Sequence, residues 1–277
     1  MAMHLIGSTL WSLGLPGTVQ SIEKVAELGY EAIQFTFQSD DDLTPSNLTQ
    51  IRQALDRTGL KVPAGMVGFD GEDYSTIAAI RRTGGFISPD DFPVRLERCR
   101  TWGAAMAGLG LTHVTTHVGF IPEASDSRYA GFMERLGTAV DALHASGLTV
   151  GFETGQESGK ALVKALDDLG RDFVSVNFDP ANFILYGSDD PLSAARALAS
   201  RTSMVHMKDG VASDKPAEVW REDVPLGEGE VDFQAVLATL EEGGFTGALV
   251  VEREAGNDRI GDLARARQFV EELLGRC

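Results

Sequence analysis

Three carboxylates and one imidazole, Glu153, Asp179, Glu252 and His206, each end or directly follow a short apolar run. The runs are Thr149-Val150-Gly151-Phe152-Glu153, Val174-Ser175-Val176-Asn177-Phe178-Asp179, Ser203-Met204-Val205-His206 and Ala248-Leu249-Val250-Val251-Glu252. From 153 to 179 is 26 residues, from 179 to 206 is 27 and from 206 to 252 is 46. The first two intervals are one strand–helix unit each; the third is one unit plus a long loop. Neighbouring parallel strands would then bring all four groups to one point. Three ionised carboxylates converging in a partly dry place repel one another, and a single divalent cation removes that repulsion. Three oxygens and one nitrogen suit Mn²⁺ first, then Mg²⁺ or Co²⁺, with positions left open for substrate oxygens. Zn²⁺ is also compatible, although no thiolate is offered.

The elements that position these groups can be read from periodicity. Strand-type runs fall at 4–8, 31–36, 61–66, 112–117, 148–153, 173–178, 203–207 and 247–252. Helical spacing falls at 18–28, 44–58, 92–109, 127–146, 158–169, 191–200, 232–242 and 258–274. Thr44-Pro45 reads as an N-cap followed by proline at the first helical position. Gly29, Gly59, Gly110, Gly147 and Gly170 each end a helical stretch just before a strand. Eight alternating units in 277 residues predict one α/β domain over 1–277, a (β/α)₈ TIM barrel, with catalytic groups at the C-terminal strand ends. Two long connections follow strand runs and are expected over the site: 67–91, with a short helix at 73–82, and 208–231.

The motifs Phe152-Glu153-Thr154-Gly155-Gln156-Glu157, Asn177-Phe178-Asp179-Pro180-Ala181-Asn182, Val205-His206-Met207-Lys208-Asp209 and Val251-Glu252 carry a family likeness. They resemble the xylose-isomerase-like TIM barrel superfamily. More narrowly, they resemble its sugar phosphate isomerase/epimerase group, which includes ketose 3-epimerases, hydroxypyruvate isomerase and inosose dehydratase. The resemblance covers essentially the whole chain. It implies that Glu153, Asp179, His206 and Glu252 are the metal ligands, and that Glu153 and Glu252 also serve as an acid/base pair. In that chemistry a metal polarises a carbonyl and stabilises an enediolate, while a carboxylate on each face of the sugar removes and returns a proton. Two positions depart from the epimerase pattern: Asn182 stands where those enzymes usually carry His, though its amide can still bind a sugar hydroxyl of the substrate, and Lys208-Asp209 stands where they favour Arg. The His206-Met207-Lys208-Asp209 run is closer to the dehydratase-like members.

Further residues could contact substrate. His117 ends the fourth strand run; its other reading is a structural hydrogen bond. Lys208 lies two residues beyond His206, so in an extended chain it points the same way. It could bind a carboxylate, phosphate or enolate oxygen, or pair with Asp209 or Glu228. Glu157 could bind sugar hydroxyls or cap the helix beginning near 158. Trp11 and Phe37 follow the first two strands and could wall a sugar site. Arg253 could bridge to a ligand carboxylate or to substrate. Gly227-Glu228-Gly229 is too short for a phosphate loop and reads as a turn. His4, His113 and His144 read as structural or surface.

Composition limits the partners. A formal charge of −17, from 24 basic and 41 acidic residues, argues against nucleic acid and anionic membranes. It also argues against the abasic-site endonucleases of the same superfamily, which need a basic groove and more histidines than the five present. Cys99 and Cys277 form no disulfide framework, which fits a reducing compartment. No charged, apolar leader opens the chain and no run of 18 apolar residues occurs, so a cytoplasmic protein is expected. The functional expectation is a metal-dependent isomerase or epimerase of a small sugar, keto-sugar or polyol. The alternatives are an inosose dehydratase-like enzyme or a non-catalytic metal-binding barrel. The family implies a homo-oligomer.

Overall fold

The computed structural model describes residues 3–215, 218–219 and 221–276. Cys277 and residues 216, 217 and 220 of the 208–231 loop lie outside the described residues. Eight strands run parallel: β1 (Ile6–Thr9), β2 (Ala32–Gln34), β3 (Gly65–Met66), β4 (His113–Thr116), β5 (Thr149–Glu153), β6 (Val174–Phe178), β7 (Thr202–Met207) and β8 (Ala248–Val251). Their order is β2-β1-β8-β7-β6-β5-β4-β3. Parallel bridges Ala32–Lys61 and Phe35–Gly65 join β2 to β3 and close the ring. The fold is a (β/α)₈ TIM barrel.

The expected third strand, 61–66, is reduced to Gly65–Met66 plus the Lys61 bridge. Pro63 lies in that run and has no N–H to give to a ladder. The other strands read as near-continuous apolar runs because helices cover the outer face while side chains fill the inside. A small interior cluster of Ala64, Met204, Ala248 and Val250 is separate from the main core between strands and helices. Alternation along β7 puts Met204 in that cluster and His206 one layer above it, toward the C-terminal mouth.

The outer helices are α1 (Thr18–Glu27), α2 (Pro45–Thr58), α4 (Phe92–Gly108), α5 (Tyr129–His144), α6 (Gly159–Leu169), α8 (Pro191–Leu198), α9 (Phe233–Glu242) and α10 (Arg259–Leu273). A short α3 (Ile77–Thr83) sits in the 67–91 connection, starting later than the expected 73–82 because Thr76 caps it. An unexpected helix, α7 (Pro180–Tyr186), follows β6 directly. Asp179 is its N-cap, Pro180 its first residue, and Gly187 ends it at φ 61°. Six of its seven residues are buried, so it has no polar face to produce an amphipathic period.

Candidate metal centre and active site

Glu153 is the last residue of β5, Asp179 follows β6, His206 lies in β7 and Glu252 follows β8. The barrel brings the four together: one ligand atom from each lies within 4.8 Å of all the others, and all four side chains are buried. Nδ1 of His206 is 3.2 Å from Glu252 Oε2, 3.4 Å from Glu153 Oε1 and 3.8 Å from Asp179 Oδ2. His206 Nδ1 and Asp179 Oδ2 are buried without a hydrogen-bond partner. Two orphaned atoms aimed at one point are costly in a native fold, and a cation there satisfies both. The donor set therefore fits a divalent metal ion.

The shell around the four residues fixes each one. Gln34 Oε1 lies 2.6 Å from His206 Nε2, while Gln34 Nε2 donates to Thr115 Oγ1 at 2.8 Å. A carboxamide oxygen can only accept, so at this shorter contact Nε2 is the donor and Nδ1 faces the carboxylates, while the Asn177 side-chain nitrogen makes a longer approach to Nε2 at 3.1 Å. Asp179 Oδ1 accepts the Asn182 amide at 3.1 Å as the cap of α7, leaving Oδ2 for the centre. Thr154 Oγ1 accepts the Asp179 amide at 2.8 Å. Asn182 Nδ2 donates to Glu153 Oε1 at 3.3 Å, and Asn177 Nδ2 to Glu153 Oε2 at 3.5 Å. His117 Nε2 stands 3.4 Å from Glu153 Oε1. On the other side, Trp11 Nε1 donates to Glu252 Oε1 at 2.7 Å and Lys208 Nζ to Glu252 Oε2 at 3.1 Å.

Electrostatics follow from this packing. Burial opposes ionisation of Glu252, but Lys208 and His206 outweigh it and hold the carboxyl well below the usual range. Burial likewise opposes the charge on Glu153, and His117 and His206 bring it below its ordinary value. Asp179 goes the other way, raised by burial. Burial disfavours a charged His206, yet Glu252 and Glu153 outweigh it and push the imidazole well up. Glu252 and Glu153 answer to the cations beside them and His206 to the carboxylates around it, so the cluster draws in positive charge, which a bound cation would supply.

A cavity of about 340 Å³ opens above the cluster, lined among others by Trp11, Phe37, His117, Asn182, Lys208 and Glu252. Four of the six expected substrate contacts line it, as does Phe37, while Glu157 and Arg253 do not. Trp11, His117, Asn182 and Lys208 reach the cavity. Lys208 pairs with Glu252 and, at 2.6 Å, with Glu254, rather than with Asp209 or Glu228. The Asp209 carboxylate instead accepts the amides of Gly227, Gly229 and Val231, which makes Gly227-Glu228-Gly229 a turn folded around it.

Two expectations are corrected. The Arg253 guanidinium meets neither the cavity nor a ligand carboxylate: it binds Asp223 Oδ2 at 2.6 Å and Asp262 Oδ2 at 2.9 Å, tying the long loop to α10. Glu157 does not line the cavity and does not cap α6, whose cap is Ser158. Its Oε1 is buried without a partner, and burial pushes the carboxyl up to about 8. The remaining histidines are structural as expected. His4 binds the Gly247 carbonyl at 2.6 Å, His144 binds that of Leu148 at 2.9 Å, and burial lowers His113 to about 4. Gln34, Asn177, Glu254 and Tyr74 went unrecognised in the sequence. A polar residue breaking the apolar runs Ala32-Ile33-Gln34-Phe35 and Val174-Ser175-Val176-Asn177-Phe178 was the available signal for the first two.

No helix among the described residues is long and apolar enough to cross a membrane. A protein from Escherichia coli K12 that carries the provisional name L-ribulose-5-phosphate 3-epimerase is 28% identical over 151 residues, 52% of each chain. An inosose dehydratase from Clostridium perfringens is 25% identical over 124 residues, 39% of this chain and 41% of its own. The aligned parts thus span about half or less of these relatives' lengths. A xylose isomerase domain protein from Planctomyces limnophilus superposes with a TM-score of 0.91 at 29% identity, covering 100% of both chains. Residues 22–273 match the family described as xylose isomerase-like TIM barrel. The chain belongs to that family.

Proposed function

We propose that the protein is a divalent-metal-dependent isomerase or epimerase of a small sugar, keto-sugar or polyol, with one Mn²⁺, or else Mg²⁺, Co²⁺ or Zn²⁺, held by Glu153, Asp179, His206 and Glu252. The observation that carries this reading is that Glu153 and Glu252 meet at one centre from β5 and β8, each steadied by its own donors. When bound, the ion supplies Lewis-acid polarisation of a substrate carbonyl and stabilises the charge that develops as the adjacent C–H is lost. Glu252, held ionised by Lys208, is the base on one face. On the other face Glu153, beside His117 and Asn182, gives its own proton in one direction and takes one in the reverse direction, so that the pair carries a single proton through each turnover. Trp11, His117, Asn182 and Lys208 orient the substrate hydroxyls. Nucleic acid is no substrate of so acidic a chain. The test is to incubate the Mn²⁺-loaded protein with ketoses and inososes in D₂O. Metal-dependent C–H exchange on at least one is expected; none on any would remove the proposal.

A dehydratase is the second reading, favoured by one observation: Lys208 places an ammonium 3.1 Å from Glu252, where it can protonate a departing hydroxyl after proton abstraction. An unsaturated product in place of an epimer distinguishes the two.

A further inference from the structure

We infer that the substrate is an uncharged, unphosphorylated polyhydroxy compound, and that the site is built to refuse phosphate esters. This rests on the isomerase or dehydratase reading above, whose substrate it narrows. In TIM barrels a phosphate is commonly held by backbone N–H groups in the loops after strands seven and eight. Such converging amides form anion nests. Here the amides of both loops are already taken by the protein's own carboxylates, and of the residues that supply them only Glu254 lines the cavity. After β7, Asp209 Oδ2 takes the amides of Gly227 at 3.0 Å and Gly229 at 2.9 Å, and Oδ1 takes Gly210 at 2.9 Å and Val231 at 3.2 Å. After β8, Asp223 takes the amides of Glu254 at 3.1 Å and Ala255 at 2.9 Å. The first turn of α10 is likewise closed by Asp258, which accepts the Gly261 amide at 3.1 Å.

The side chains repeat the pattern. Four carboxylates line the cavity, Asp70, Glu72, Glu252 and Glu254, against the cations Arg98 and Lys208; with Glu153 and Asp179 of the cluster and a bound divalent ion counted as well, six negative charges face four positive ones. Neither cation is available to a phosphate. Arg98 pairs with Asp70 and donates to the Gly68 carbonyl at 3.3 Å, with its guanidinium 4.7 Å over the Trp102 ring. Lys208 is held by Glu252 and Glu254. A dianion entering here would meet like charge and displace existing ion pairs. The aromatic walls, Trp11, Phe37, Tyr74 and Trp102, instead offer flat faces to the C–H side of a sugar, and the carboxylates offer acceptors to its hydroxyls.

The experiment pairs ribulose, fructose and an inosose with the corresponding phosphate monoesters. Exchange in D₂O with Mn²⁺-loaded protein is measured alongside binding, followed by quenching of tryptophan fluorescence, with inorganic phosphate as a further ligand. At least one neutral compound should bind and exchange with kcat/KM at least about 100-fold above its phosphate, as a like-charge clash of several kcal/mol requires. Inorganic phosphate should not compete. A phosphate ester that binds or reacts as well as its parent would overturn the inference and leave the isomerase or dehydratase reading standing. Binding of neutral polyols without exchange would support the inference and remove the catalytic reading; binding of neither class would remove both.

Discussion

The side-chain oxygen of Gln34 lies 2.6 Å from Nε2 of His206, on the opposite side of the ring from the three carboxylates. This contact decides which imidazole nitrogen faces the centre. Replacing Gln34 with Leu removes the acceptor and frees the ring to flip or change tautomer. Partners of this kind are worth about 10–100-fold in metal affinity. A loss of that size is expected by titration calorimetry with Mn²⁺, with an unchanged circular dichroism spectrum. Unaltered affinity would mean that packing alone orients His206.

Trp11 acts on Glu252 in a similar way from the short turn Trp11–Leu13 that follows β1. Trp11→Phe keeps an aromatic wall and deletes the 2.7 Å hydrogen bond to Oε1. Hydrogen bonds to charged groups contribute about 1.5–3 kcal/mol. On the proposed substrate class, kcat/KM should fall roughly 10- to 100-fold. If only KM rises, Trp11 is a wall and not a support for the base.

Asp179 has two duties that can be separated. Its Oδ1 caps α7 and its Oδ2 faces the centre. Asn keeps a capping oxygen but loses the charge; Ala loses both. Without metal, Asp179→Asn should unfold at or above the wild-type temperature, while Asp179→Ala should lose a further ~1 kcal/mol from the missing cap. Both should lose the stabilisation that Mn²⁺ gives the wild type and that chelation removes. Thermal melts with and without EDTA check this. Equal destabilisation of the two variants in EDTA would show that the cap contributes nothing.

Glu157 predicts a pH dependence of stability. Burial raises its carboxyl from 4.5 to about 8 in the folded protein. Between those values the unfolded chain ionises this group and the folded one does not. The contribution is therefore fully present below about 4.5 and declines as pH rises to about 8. Glu157→Gln should flatten that part of the profile and at pH 8 should be more stable than wild type, by up to a few kcal/mol. Urea melts from pH 5 to 8.5 report it. Parallel profiles for the two proteins would contradict a neutral buried Glu157.

The barrel and its four central residues were legible because strand ends repeat at fixed intervals and each carries a titratable group after an apolar run. What was not legible depended on direction rather than type. Gln34 is one polar residue in a three-residue strand, and nothing local says whether it faces the barrel axis or a helix. Lys208 was placed correctly by alternation, but its partner Glu254 lies past the end of β8, where alternation no longer applies. Arg253 and Glu157 sit in loops without a period, so their side chains could not be aimed from sequence, and both turned away from the cavity. Helix α7 escaped because its burial on nearly all sides erases the amphipathic pattern.

The most direct measurement is a crystal soaked in Mn²⁺ with anomalous scattering recorded at the manganese edge. The account predicts one peak, within about 2.0–2.3 Å of carboxylate oxygens of Glu153, Asp179 and Glu252 and of Nδ1 of His206. The Gln34 contact to Nε2 should be retained. No peak at that point, ligation through Nε2, or an ion bound elsewhere in the barrel mouth would contradict it.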